Sequence, residues 1–203
     1  MGVSSSLEVR MPTSLGGEHP DRPGGSEAPR RLVHEGPVFK VRRVDYLDAG
    51  GRSVRKDFVE HPGAVTVIPE EADGSILLVR VGRIAVDRFL LEFCAGKLEP
   101  GEEPEAAAGR ELEEEVGRQA DRIRPIADFL TSPGCSDERI HAFHASGLRT
   151  IPTRLEPGEE IEVVRMSPEE IDDAMLDGRI EDGKTIAAWH LFRLRTRSLK
   201  EGS

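Results

Sequence analysis

The chain has 203 residues, room for one domain with a real core plus further segments, and its formal charge of −10 argues against non-specific binding to nucleic acid or to an acidic membrane surface. A hydrophobic fraction of 37% is low for a compact domain, so part of the chain is expected to be tail, and no apolar run approaches the ~20 residues of a membrane helix. Two cysteines, Cys94 and Cys135, make no disulfide framework, and the N-terminus has no apolar leader, so the expected compartment is the cytoplasm.

Residues 1–30 are rich in Gly, Ser, Pro and charge and read as a disordered tail. Residues 31–60 read as N-terminal antiparallel strands. In "VFKVRRVDYLDAGGRSVRKDFVEH" two partly alternating runs flank Ala49-Gly50-Gly51-Arg52, which is a hairpin signal. The main domain is expected over 61–198. "GAVTVIPE" and "SILLVRVGR", separated by Asp73-Gly74, form a second hairpin, and "RFLLEFCAG" is one further strand ending in a small-residue turn. An acidic helix is expected next, beginning near Pro104, with Gly117 at its C-cap. "DRIRPIADFLTSPG" and "DERIHAFHASGL" are strands around a Pro-Gly loop. "EEIEVVRMS" is a strand entering a helix that Ser167-Pro168-Glu169-Glu170 starts with a capping box. The last helix, "TIAAWHLFRLR", is expected to pack through Ile186, Trp189, Leu191 and Phe192. This order predicts an α/β domain, a mixed sheet with helices on its faces.

The acidic helix carries the most informative spacing. At about 100° per residue, Ala108, Leu112 and Val116 make one apolar stripe that should bury on the sheet. Glu111 and Glu115 form a neighbouring stripe, and Glu114 lies three residues from Glu111. Like charges at this spacing repel. A hard divalent cation relieves that repulsion, prefers oxygen ligands, and is commonly completed by water and phosphate. An isolated run of glutamates, by contrast, is usually a solvated face.

The fuller pattern decides between these. Gly96, Glu102, Arg110-Glu111-Leu112, Glu114-Glu115 and Gly117 stand in the spacing of the Nudix box, and the chain therefore resembles the Nudix hydrolases. Arg118 departs from the bulky apolar residue usual after the box. The resemblance implies an α/β/α sandwich around a mixed β-sheet, preceded here by the N-terminal strand region. It implies metal-dependent hydrolysis of a nucleoside diphosphate linked to another moiety, with Mg2+ (or Mn2+) as cofactor. Glu111, Glu115, Glu114 and the Ala95 carbonyl would hold metal. Arg110 would orient the carboxylates, with Glu102 its partner.

"VEHPGAVTVI", "LLEFCAGKLEPGE", "TSPGCSDE" and "EVVRMSPEE" extend the resemblance to the ADP-ribose pyrophosphatase branch, which carries a Pro where Pro133 stands. By that resemblance Arg83 would contact phosphate, although the usual Gln-Tyr-Arg is Val81-Gly82-Arg83 here. The loop "EPGEEIEV" would supply the catalytic base, Glu159 first and Glu160 second, and Glu138 would face substrate. Arg55 or Lys56 would reach the substrate across a homodimer built on residues 38–60. Phe39, Tyr46 and Phe58 are the candidates to stack on a base, each read first as a sheet or interface residue. Cys94 reads as packing, since a thiol is a poor ligand for hard ions. His141 and His144 should face opposite sides of a strand and His190 the surface. The box itself leaves open ADP-ribose, another diphosphate such as a nucleotide sugar, or a regulatory module that binds without turnover.

Overall fold

Both faces of the central strands are apolar, and that double alternation builds the layers. The computed structural model describes residues 28–155 and 160–201, so nearly all of the expected tail, and Glu159, lie outside it. β1 (Arg31–Glu35), β2 (Lys40–Leu47) and β3 (Ser53–Glu60) form an antiparallel sheet in the order β1-β2-β3. The β2–β3 turn falls where the glycines predict it. The Asp48 carboxylate accepts the Gly50 N–H at 2.9 Å and the Arg52 N–H at 3.0 Å, and Gly51 takes a φ of 76°.

The main sheet follows with β4 (Ala64–Glu70), β5 (Ile76–Arg83), β6 (Arg88–Glu92), β7 (Cys94–Lys97), helix α1 (Pro104–Val116), β8 (Arg118–Leu130), β9 (Arg139–Thr150) and β10 (Ile161–Met166). Helices α2 (Pro168–Leu176) and α3 (Gly183–Glu201) close the described chain. Strand order is β10-β5-β4-β9-β8, with β4–β9 parallel and the other neighbours antiparallel. Val65, Val67, Leu77, Val79 and Phe143 pack under Ala108, Leu112 and Val116 of α1. The alternate residues Ile68, Ile76 and Leu78 face the other way, against Ile171 of α2 and Ala188 and Trp189 of α3. The result is an α/β/α sandwich around a mixed sheet, as expected.

Two local expectations are corrected. "RFLLEFCAG" is two strands, because β4 and β5 pair only at Glu70 with Ile76 and then diverge. β6 follows β5, β7 follows β4, and the chain changes partner at Phe93. The Phe93 N–H, left without a strand partner, donates to the buried Thr185 Oγ1 at 3.0 Å. The second correction concerns α3. Ile186 is exposed, and the buried face runs through Thr185, Ala188 and Trp189, with Phe192 partly covered. That set is spaced i, i+3, i+4, i+7, and the Trp189 indole N–H donates to Asp172 at 2.6 Å.

Helix α2 begins with the full capping box: Ser167 Oγ accepts the Glu170 N–H at 3.2 Å, and Glu170 accepts the Ser167 N–H at 2.7 Å. Helix α1 starts with Pro104 in its first turn and ends at Gly117, φ 63°. Arg118, the departure from the box, opens β8 and donates from Nε to Glu71 at 3.0 Å, so an ion pair stands where apolar packing is usual.

Leu112 is fully buried between α1 and the sheet. Leu112→Ala should lower stability by about 2–5 kcal/mol, read as a shift of the urea midpoint at unchanged slope.

Candidate active site

The turn from β7 into α1 brings the backbone of Ala95 and Gly96 against the carboxylates of α1. The Ala95 N–H donates to Glu115 Oε2 at 3.1 Å. A Cβ on Gly96 would stand 1.7 Å from Glu111 Oε1, so only glycine lets the strand and this carboxylate share the space. Glu111 is 9% exposed and Glu115 8%, which is unusual for glutamate. Together with Glu114 they line one open cavity of about 1470 Å³.

Arg110 organises this face. Its Nε and Nη2 donate to the two oxygens of Glu102 at 2.9 and 3.0 Å. Its Nη1 reaches Glu111 at 2.7 Å and Glu114 at 3.1 Å, and Nη2 also meets the Lys97 carbonyl at 3.2 Å. All five N–H groups of the guanidinium are thereby directed. The hydrogen bonds to Glu102, and after them those to Glu111 and Glu114, hold Arg110 well above the ordinary arginine range. The same bond holds Glu102 below the usual carboxylate range. Cys94, fully buried beneath the site, is a packing residue. Burial, and then the charges of Glu115 and Glu111, push its thiol well above the ordinary range.

The oxygen-only donor set suits a hard divalent cation. Among the described residues, however, no three acidic, histidine or cysteine side chains converge into a ready-made ion cage. Arg110 lies between Glu111 and Glu114 and pairs with both, its single charge shared also with Glu102. A cation here would share those oxygens with Arg110 or take them from it, and would need water and phosphate for its remaining ligands.

The remaining candidates divide. Arg83, Glu138 and Glu160 line the cavity. Arg83 also donates from Nε and Nη2 to Glu92 at 2.8 and 2.6 Å, and Glu138 accepts the Thr131 hydroxyl at 2.6 Å. Pro133 is exposed and off the cavity wall, in a loop whose flanks are tied to β3: Val59 N–H donates to the Cys135 carbonyl at 2.8 Å, and Asp137 N–H to the Val59 carbonyl at 3.1 Å. Arg55 is exposed and pairs with Asp45 at 2.6 Å, and neither it nor Lys56 lines the cavity of the single chain. Phe39, Tyr46 and Phe58 are likewise off the wall, whereas Phe89 and Phe129 are on it. Phe89 is half exposed, with the Arg80 guanidinium 4.3 Å from its ring centre.

Sequence reasoning missed His61, Glu92, Asp182 and Lys184. His61 lines the cavity; its Nδ1 accepts the Gly63 N–H at 3.2 Å, and its Nε2 stands 3.7 Å from Glu138 Oε1. Glu92 sits inside an apolar run at 1% exposure, and that position, a charge where the strand is otherwise buried, was the available signal.

Comparison with known proteins places this geometry. The NUDIX domain model matches residues 60–189. An ADP-ribose pyrophosphatase of Bacillus subtilis is 35% identical over 168 residues, covering 82% of this chain and 91% of that protein. A GDP-mannose pyrophosphatase of Yersinia enterocolitica is 36% identical over 163 residues, covering 73% and 84%. The crystal structure of an ADP compounds hydrolase superposes with a TM-score of 0.75 at 23% identity, covering 84% of this chain and 93% of that one, which speaks to the fold.

Gly96→Ala should leave the protein folded, with circular dichroism unchanged, while lowering turnover by at least about 100-fold, because Glu111 must leave its place beside the strand. A variant as active as wild type would show that the Gly96–Glu111 contact has no bearing on the chemistry.

Proposed function

The chain belongs to the Nudix family, and on that premise we propose that it hydrolyses ADP-ribose to AMP and ribose 5-phosphate with a divalent cation, Mg2+ or alternatively Mn2+. The observation that carries this reading is a pair of nine-tenths-buried carboxylates, Glu111 and Glu115, on the wall of a cavity that also presents Arg83. Among the described residues that wall holds eight acidic side chains against five basic ones, so a diphosphate enters against net repulsion unless cations accompany it.

Glu111, Glu114, Glu115 and the Ala95 carbonyl would hold the ion, which when bound neutralises phosphate oxygens and acidifies a water. The chain's own groups do the rest. Arg110 keeps three carboxylates oriented, Arg83 binds phosphate, and Glu138 faces the substrate. A base from the 156–160 loop takes the proton of the attacking water. Glu159 is the first choice and lies outside the described residues; Glu160 is the second and lines the cavity. The water adds to one phosphorus, the bridging oxygen leaves with the other, and the two monophosphates result.

The protein is further proposed to be cytoplasmic and homodimeric, with β1–β3 at the interface and Arg55 or Lys56 reaching the partner's cavity. No described helix is long and apolar enough to cross a membrane. The similarity to a GDP-mannose pyrophosphatase favours, as a second reading, the same chemistry on a nucleotide sugar.

A panel of ADP-ribose and nucleoside diphosphate sugars, assayed with Mg2+, should show ADP-ribose with the highest kcat/KM. Preference for a nucleotide sugar supports the second reading, and ADP-ribose binding without turnover of any compound would make this a binding module. Glu115→Gln should cut kcat by about three orders of magnitude or more. Glu159→Gln should lower kcat and spare metal binding, and full activity in that variant removes Glu159 as the base.

A further inference from the structure

Glu92, the last residue of β6, is 1% exposed and carries two cations. Arg83 binds it with two parallel hydrogen bonds at 2.8 and 2.6 Å, and Lys184 Nζ reaches the same carboxylate. Burial pushes Glu92 up, but the Arg83 hydrogen bond and the Lys184 charge outweigh it and hold the carboxyl below the usual range.

One bidentate arginine already answers a buried carboxylate. The second cation needs another reason. Lys184 is in the first turn of α3, its side chain 15% exposed, and it lines the cavity together with Arg83. Its other partner is Asp182, at 3.0 Å. Asp182 also accepts the Thr185 N–H at 2.9 Å and the Thr185 hydroxyl at 2.6 Å, so its charge is directed largely to the start of α3. An ammonium has three N–H donors, and two carboxylates account for two of them.

Position supplies the rest. Thr185, the next residue, receives the Phe93 N–H at the point where the chain switches from β5 to β4. Lys184 is therefore held in register with the strand that, two residues further on, presents Ala95 to Glu115. A cation so fixed, on the wall of an acid-rich cavity, is arranged to receive an anion.

We propose that Lys184 is a substrate-binding residue: Glu92 holds it beside Arg83, and its ammonium takes a non-bridging oxygen of the diphosphate. This rests on the reading that the cavity receives a nucleoside diphosphate. Lysine serves phosphate as a compact point charge, and here the buried carboxylate supplies the orientation that its flexible stem lacks.

The test compares wild type, Lys184→Gln and Lys184→Arg in steady-state hydrolysis of ADP-ribose with Mg2+, and in calorimetric binding of ADP-ribose with Ca2+ replacing Mg2+. Lys184→Gln should raise KM by roughly 10- to 100-fold with kcat changed less than about threefold, and Lys184→Arg should recover most of the loss. A merely structural lysine would give equal losses in kcat for both variants, or no change in KM, and either result overturns the proposal. If wild type turns over nothing yet binds ADP-ribose, and Lys184→Gln weakens that binding, the hydrolase reading fails and the lysine assignment stands. If Lys184→Gln does not fold, acetylation of native protein decides: ADP-ribose should shield Lys184 from acetic anhydride, and equal labelling with and without it overturns the proposal.

Discussion

The site depends on one steric constraint: the Glu111 carboxylate occupies the volume that a side chain at position 96 would fill. Because the strand has no side chain there, the Glu111 carboxylate can lie against β7. Leu112, one residue along the helix, then buries in the core while Glu111 stays at the cavity wall. Two glutamates become nine-tenths buried through this packing. Such burial is costly unless the charges are answered; an Arg110 N–H to Glu111 and the Ala95 N–H to Glu115 supply part of that answer.

The opposing wall follows from the sheet. β4 and β5 separate after a single register pair, and the segment from β6 to β7 fills the gap by changing partners at Phe93. The switch leaves one backbone N–H for Thr185, which fixes the first turn of α3, and it leaves Glu92 buried between Arg83 and Lys184. One irregularity thus sets an anionic helix face and a pair of cations around the same cavity. A diphosphate with its metal ions needs both signs of charge at fixed places, and the described elements provide them.

The layers and most elements were legible because their signals are local. The near-continuous apolar runs of β4 and β5, the Ser167 capping box, and the Pro104 and Gly117 boundaries of α1 each depend on residues within a few positions of one another. The box residues were legible as well, since one helical turn brings Glu111, Glu114 and Glu115 together whatever the tertiary structure. Long-range features were not. The break at Phe93 depends on how β4 and β5 diverge, and the Glu92–Lys184 pair joins residues 92 positions apart. Ile186 was expected inside because it is apolar, but the helix phase is set by where Thr185 and Trp189 must bond. The role of Arg118 as an ion-pair partner likewise needed Glu71, on a turn distant in sequence.

Manganese uptake tests the account most directly, because the free aqueous ion gives a six-line electron paramagnetic resonance signal that vanishes on binding. Adding the protein should reduce that signal, and a non-hydrolysable methylene analogue of ADP-ribose should reduce it further, as α1 carboxylates and diphosphate complete one coordination shell. A signal unchanged by protein and analogue together would mean that these carboxylates hold no ion.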